Sequence, residues 1–173
     1  MAIRIETDRL VLRGWNRADR SALKRMARDP EMMRFVTKGR AMTDAEIKAL
    51  FKRQRDHLDQ HRVCFFAMQL QCSDEVIGLA GMQPLDSGEF EIGWWVWKDH
   101  WGHGYASEAA RSLIEYARDE LQLNSLAAII DPGNDASINV ATKLGLTLHS
   151  QIPASDTIST RPDWLINYYR MAL

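Results

Sequence analysis

Long apolar runs and cysteine are the scarcest features of this sequence. No apolar stretch approaches the roughly 20 residues that cross a bilayer, and the polar N-terminus lacks the three regions of a signal peptide. The two cysteines, Cys64 and Cys72, lack metal-site spacing, which favours reduced structural thiols. With 46% hydrophobic and 26% charged residues, the chain is predicted to be one globular domain, residues 1–173, in the cytoplasm and without membrane contact.

A large net charge is also missing, since the formal value is −1. Near-neutrality argues against a nucleic-acid-binding protein, which needs a basic footprint with interleaved aromatic residues. The charge is nevertheless uneven: residues 1–62 carry 16 basic and 9 acidic residues, and residues 63–173 carry 6 and 14. Two interpretations stay open, namely solvated helix faces or a basic surface that meets an anionic partner such as a ribosome.

Hydrophobic periodicity predicts strands and helices along the whole chain. Seven strands are predicted, at residues 3–15, 63–70, 76–85, 89–97, 125–131, 146–152 and 165–172. Four helices are predicted, one behind an Asn16 cap, one from a capping box at Thr43, one over 106–121, and one over 134–144 that ends at Gly145. Residues 29–42 and 153–163 match no motif and are predicted to be loops.

The most informative stretch follows the fourth strand and reads Trp101-Gly102-His103-Gly104-Tyr105-Ala106. Glycine lets the backbone turn its N–H groups toward a ligand, and the helix that begins here offers unpaired N–H groups and a positive dipole end. The stretch therefore predicts a cradle for an anion such as a pyrophosphate. A Walker loop is excluded because no Gly-Lys-Ser/Thr follows, and a dinucleotide fingerprint lacks its third glycine.

This stretch resembles the acetyl-CoA loop of the GNAT acetyltransferases, Q/R-x-x-G-x-G/A, with Trp101 at the usual Gln/Arg position. The extension W-G-x-G-Y-A-S/T-E-A is similar to the branch that includes ribosomal-protein-alanine N-acetyltransferases. Thr7–Arg13 resembles the family's T-x-R-L-x-L-R, and Asn134–Leu146 its N-x-x-S-x-x-V-x-x-K-L-G-F/L. The resemblance implies an α/β (α+β) GNAT fold: a mixed, mostly antiparallel sheet of about seven strands, splayed between the fourth and fifth, with about four helices.

The resemblance also implies acetyl-CoA as co-substrate and no metal. Backbone contacts to the pantetheine arm are expected from one strand segment, Trp95, Val96 and Trp97. The pyrophosphate is expected at the cradle, which comprises Trp101, Gly102, His103, Gly104, Tyr105, Ala106 and the Ser107 hydroxyl. Asn134 is expected to bind the pantetheine arm, and a helix N-cap is its alternative role. His100 and His103 lack the further ligands that zinc needs.

Two residues are expected to move protons. Glu91 precedes Ile92-Gly93-Trp94, as in the family's E-I-G-Y/W strand, and is expected to receive the amine proton through a water. Glu89, on the same strand face, is a weaker candidate. Many relatives protonate the departing thiolate with a tyrosine where this chain has Ala141. Ser137 is the expected substitute, and a structural hydroxyl near a helix start is the alternative.

These patterns predict an acetyl-CoA-dependent N-acetyltransferase that acts through a ternary complex. A protein N-terminal α-amine is the expected acceptor, because its pKa of about 7.7–8.0 lies well below the value of about 10.4 for lysine. A polyamine or aminoglycoside is the alternative acceptor, and a non-catalytic acyl-CoA-binding module is the rival class. Acceptor identity is expected to depend on residues 29–42 and 153–163, and a homodimer is an open expectation.

Overall fold

The computed structural model describes residues 3–173 and contains one eight-stranded mixed sheet. The strands are β1 (Arg4–Glu6), β2 (Leu10–Arg13), β3 (Phe65–Leu70), β4 (Val76–Pro84), β5 (Phe90–Val96), β6 (Ser125–Ile130), β7 (Thr147–Pro153) and β8 (Leu165–Ala172). Their order is β1-β2-β3-β4-β5-β6-β8-β7. All neighbours in this described sheet are antiparallel except β5 and β6, as the predicted fold requires.

Two helices cover each face of the sheet. The described residues form α1 (Arg20–Arg28), α2 (Asp44–His61), α3 (Tyr105–Asp119) and α4 (Asp135–Lys143). On one face, Leu23 of α1 and Leu50 of α2 pack with Leu79 of β4. On the other, α3 and α4 contribute Leu113 and Ala141 to the main core, which also contains side chains of β5. No helix among residues 3–173 combines the length and apolar character needed to span a membrane.

The prediction of a single strand over residues 3–15 is wrong, because the chain reverses at Thr7. The Thr7 N–H donates to the Leu10 carbonyl at 3.0 Å, and the Thr7 hydroxyl accepts from the Leu10 N–H at 3.0 Å. A threonine hydroxyl that bonds nearby backbone favours a turn over an extended strand. The reversal separates β1 from β2 and raises the strand count from about seven to eight.

Local capping signals place the helices close to their predicted positions. Asn16 caps a 3₁₀ turn at Arg17–Asp19, so α1 begins later than predicted. The capping box of α2 is confirmed, since Thr43 and Glu46 each bond the other's backbone N–H. Beyond α4, Gly145 has a left-handed φ of 92°, which ends the helix.

The predicted splay between the fourth and fifth strands corresponds to β5 and β6, because the first predicted strand is two strands in the structure. These parallel strands are paired at one position, Glu91 opposite Ala127. The next five residues of β5, Ile92–Val96, pair only with β4 on their other side. At about 3.3 Å per residue, this leaves an opening about 17 Å long between β5 and β6.

Candidate active site

The cradle lies at the N-terminus of α3, beyond the end of β5 that does not pair with β6. Gly102 and Gly104 have φ values of 78° and 80°, in the left-handed region that other residues rarely adopt. A Cβ at Gly102 would meet nothing within 4 Å, and one at Gly104 would meet only Arg9 Nη2, at 3.7 Å. Backbone conformation therefore requires the glycines. The space before the first turn of α3 can receive an anion, which the helix N–H groups and dipole favour.

Arg9, which precedes β2, holds this cradle in place. Its Nη1 donates to the His103 carbonyl at 3.1 Å, and its Nε donates to Glu108 Oε2 at 2.7 Å. The guanidinium also lies over the Tyr105 ring, 4.6 Å from its centroid. Burial alone would raise the pKa of Glu108, but hydrogen bonds from Thr7 and Arg9 lower it. Arg9 belongs to the T-x-R-L-x-L-R motif, but the sequence analysis predicted no function for it.

The three predicted backbone contacts of β5 are not equally placed. The Trp97 N–H donates to Ile77 at 2.6 Å, on the β4 side. Because backbone direction alternates along a strand, Trp95 shares that side, whereas Val96 faces the opening. The Val96 carbonyl accepts from the Trp101 indole at 2.6 Å. Trp101 thus ties the cradle to the end of β5.

His103 and His100 engage different neighbours. The His103 ring stacks on Tyr105, with centroids 5.8 Å apart, and its Nδ1 lies 2.9 Å from the Trp101 carbonyl oxygen. The Nε2 of His100 lies 3.6 Å from a Glu75 carboxylate oxygen. No group of three or more potential metal ligands lies together in the described part of the chain.

On α4, the predicted pantetheine contact is also the helix cap. Asn134 Oδ1 accepts from the Ser137 N–H at 3.2 Å. The Ser137 hydroxyl is half-buried and has no hydrogen-bond partner among residues 3–173, which leaves it available to a ligand. Ala141 is fully buried in the main core. A tyrosine at this position would have to displace packed side chains, at a cost of about 1–3 kcal/mol.

Glu91 is buried at the point where β5 and β6 separate, and it is not a free carboxylate. Its Oε2 accepts from Gln83 Nε2 at 2.6 Å and forms a salt bridge with Arg161. Its Oε1 has no donor among residues 3–173, and the residue is 7% exposed. Glu91 can therefore accept one more hydrogen bond, from a water or an amine.

Glu89 is less suited to proton transfer because its hydrogen bonds are fully used. Its carboxylate accepts from the Tyr168 hydroxyl at 2.8 Å, the Ser125 hydroxyl at 3.1 Å and Arg170 Nη2 at 2.7 Å. Burial would raise the pKa of Glu89, but these bonds lower it. Burial and the bond to Glu89 raise the pKa of Tyr168 to about 12. The four groups form a closed network below the opening.

Three residues on the α2 face of the sheet were missed by sequence reasoning. Arg161 lies in the β7–β8 loop, which was expected to shape acceptor binding but gave no motif. Arg53 and His57 lie one turn apart on α2, among many similar charged residues. Only tertiary structure shows that Arg161 bonds a carboxylate 70 positions away, on the face of the sheet that α2 covers.

The two loops expected to govern acceptor binding come together. Lys38, in the loop between α1 and α2, forms a salt bridge with Asp131 after β6. Its Nζ also lies 4.8 Å from the centroid of Trp164, at the end of the β7–β8 loop. Lys98, which follows β5, donates to Asp29 at 2.8 Å and anchors the start of the first loop. The loops therefore border one face of the sheet above Glu91.

An anion cradle at a helix start, set beside two splayed parallel strands, is the arrangement that the resemblance to the GNAT acetyltransferases implies. A family model described as "Acetyltransferase (GNAT) domain" matches residues 9–147. The chain belongs to the GNAT acetyltransferase family.

Named relatives agree with this assignment. The chain is 31% identical over 140 residues to an uncharacterized N-acetyltransferase, p20, of Bacillus licheniformis, covering 80% of this chain and 79% of p20. The crystal structure of an acetyltransferase from Agrobacterium tumefaciens str. C58 has a TM-score of 0.83 and 28% identity, with coverage of 98% and 94%. RimL, a ribosomal L7/L12 α-N-protein acetyltransferase in complex with coenzyme A, has a TM-score of 0.81 at 15% identity, with coverage of 99% and 98%. The last likeness concerns the fold alone.

Proposed function

We propose that this protein transfers the acetyl group of acetyl-CoA to a protein N-terminal α-amine. The observation that carries the proposal is the open cradle at α3, which adjoins an opening about 17 Å long between β5 and β6, where the resemblance places the pantetheine arm. Gly104 has the left-handed φ of 80° that turns the chain into the helix there. An anion at this position gains the helix dipole and several backbone N–H donors.

The proposed acetyl-CoA site follows the opening from the cradle to Glu91. The pyrophosphate lies at Trp101–Ala106, with the Ser107 hydroxyl as a further donor, and Val96 offers backbone on the open side of β5. The Trp97 N–H donates to Ile77, and the Trp97 carbonyl accepts from the His100 N–H at 2.8 Å, so a role for Trp97 in this site is confined to its side chain. Asn134 caps α4 beside the opening and can also bind the amide-containing arm.

Glu91 is the proposed proton acceptor. The amine must lose a proton to attack the thioester carbonyl, and Glu91 Oε1 can take that proton directly or through one water. The salt bridge with Arg161 engages Oε2 and fixes the orientation of the carboxylate, so that Oε1 is left for the amine or a water. An α-amine, with a pKa of about 7.7–8.0, needs less help to lose its proton than a lysine amine does.

The leaving group requires little help in this proposal. A thiol has a pKa of about 8.5, so the thiolate is a fair leaving group. The unpaired Ser137 hydroxyl is the proposed donor to the sulfur. No covalent enzyme intermediate is invoked, because amine and acetyl-CoA meet in a ternary complex.

The acceptor class rests on the sequence resemblance to the ribosomal-protein-alanine branch and on amine acidity. The proposal also places the protein in the cytoplasm, consistent with its two free cysteines. Purified protein should be incubated with acetyl-CoA and three acceptor sets: peptides with free N-termini, polyamines and aminoglycosides. Acetylation of peptide α-amines, located by fragmentation mass spectrometry, is the expected result. Acetylation of small amines alone would replace the proposed acceptor, and CoA retention without any transfer would indicate a binding module.

A further inference from the structure

The face of the sheet that α2 covers holds an excess of positive charge beside Glu91. Arg161 reaches this carboxylate from the β7–β8 loop, and Arg53 belongs to α2, which covers the same face. Arg53 has no hydrogen bond or ion pair within residues 3–173. The two guanidinium groups carry two positive charges and the Glu91 carboxylate carries one negative charge. A second anion can therefore bind to the guanidinium groups.

Arg161 is held rigidly in this position. Its Nη1 donates to the Thr157 hydroxyl at 2.8 Å, and Thr157 is itself buried. Asp86, in the β4–β5 turn, fixes the same loop twice: its N–H donates to the Thr157 carbonyl at 3.0 Å, and its carboxylate accepts from the Ser159 N–H at 2.7 Å. Arg161 is thus placed before any acceptor arrives, which reduces the entropic cost of binding.

Contacts on the other side of α2 fix the direction of Arg53. Phe51 packs edge-on against Trp15, with ring centroids 6.2 Å apart. Leu58 lies next to Gly14, where an added Cβ would be 3.2 Å from Leu58 Cδ2. The side of α2 that carries Phe51 and Leu58 therefore faces the end of β2. Because successive helix residues are about 100° apart, Arg53 projects from the opposite side, toward β5.

Two further observations agree with this placement. Desolvation first, and then the charge of Arg161, lower the pKa of Arg53, while Glu91 raises it. One turn along α2, the buried His57 Nδ1 has no hydrogen-bond partner in the described part of the chain. Arg53 and His57, four residues apart, thus lie on one side of α2.

We propose that Arg53 and Arg161 form an anion subsite for the acceptor, beside the amine position at Glu91. This inference rests on the proposed function and specifies its substrate class: N-terminal segments with an acidic side chain in the first two residues. In this arrangement the unpaired oxygen of Glu91 takes the amine, and the guanidinium groups take the carboxylate. Arg161 bonds Glu91 directly, and Arg53 projects toward the same strand from α2, so a single acceptor can reach both.

The test compares two peptides that differ only in the second residue, one beginning Ala-Asp and the other Ala-Asn. The wild-type enzyme should favour Ala-Asp by about tenfold or more in kcat/KM, the effect of one charge-assisted hydrogen bond. Arg53→Gln should bring this ratio close to one. Arg55→Gln removes another arginine of the same helix that, like Arg53, is exposed; it projects about 200° away from Arg53 around the helix axis and should keep the wild-type ratio.

Equal kcat/KM for the two peptides in the wild type would overturn the subsite, and so would a ratio that Arg53→Gln leaves unchanged. Failure of the proposed function has a different signature, in which no peptide is acetylated. In that event the same ratio is measured with a free amino acid and its carboxamide. A preference for the free carboxylate that Arg53→Gln abolishes supports the subsite, and equal rates contradict it.

Discussion

Arg9 donates a hydrogen bond to the carbonyl of His103 at 3.1 Å, across 94 positions of sequence. The contact joins the segment before β2 to the centre of the cradle. Since Arg9 also bonds Glu108 in the first turn of α3, one side chain spans the loop and the helix that hold the proposed pyrophosphate. The cradle is therefore organised from outside its own segment.

Replacement of Arg9 by alanine should weaken acetyl-CoA binding on the order of tenfold, because the loop loses a charge-assisted restraint. Titration calorimetry measures the effect. Arg4→Ala is the control, since Arg4 forms an exposed ion pair with Glu6 away from the cradle. Wild-type affinity in a folded Arg9→Ala variant would show that the loop keeps its shape unaided.

Ser137→Ala should slow acetyl transfer by on the order of tenfold while leaving acetyl-CoA affinity and melting temperature nearly unchanged. The reason is that the hydroxyl has no partner in the described protein, so its loss removes no structural bond. Single-turnover rates measure the chemical step. Thr142→Ala, which removes a hydroxyl bonded to Ile138 on the same helix, should not slow it. Wild-type single-turnover rates for Ser137→Ala would mean that the thiolate leaves without this residue.

Glu91→Gln should lower kcat/KM by roughly 100-fold near neutral pH, the scale of general base catalysis. Glutamine keeps the shape of the side chain but does not take up the amine proton. At higher pH the free amine forms unaided, so the variant should approach the wild-type rate. Glu115→Gln, at an exposed position of α3, is the matched control. A deficit that is constant from neutral to alkaline pH would assign Glu91 a structural role.

His57 should make folding stability depend on pH. Burial first, and then Arg53 and His61, lower its pKa in the folded protein. The unfolded chain therefore takes up this proton at higher pH, near 6.5, and the stability contribution present above that value declines as the pH falls through the folded pKa. The wild type should melt at a lower temperature at pH 5.5 than at pH 7.5, and His57→Gln should reduce the difference. His149→Gln, exposed on β7, should retain it; an unchanged difference in His57→Gln would exclude His57.

Local signals predicted most of the fold, because they act within a few residues. The Thr43 capping box and the glycine turn before α3 are read from adjacent residues, and the structure contains both. The hairpin at Thr7 was missed because the flanking residues continue a loose alternation through the turn. The Thr7 hydroxyl accepts a hydrogen bond from the Leu10 N–H, which favours a turn after β1 over a continued strand. Hydrophobic periodicity does not detect a side-chain bond of this kind.

Only part of the candidate site was predicted, because only part of it is contiguous in sequence. The cradle is contiguous, so a sequence motif describes it. The salt bridge between Glu91 and Arg161 joins positions 70 residues apart, and nothing near Arg161 in sequence marks it. Pairings of this kind depend on where the β7–β8 loop returns to the sheet, which is a property of the fold.

The most direct test of the account is acetyl-CoA binding to two glycine variants. Gly104→Val and Gly88→Val both place a branched residue at a left-handed φ, 80° and 87°, so both carry similar backbone strain. Gly88 lies in the β4–β5 turn, away from the cradle. Calorimetry should show at least about a tenfold loss of affinity for Gly104→Val and wild-type affinity for Gly88→Val. Unchanged affinity in a folded Gly104→Val protein would contradict the proposed acetyl-CoA site.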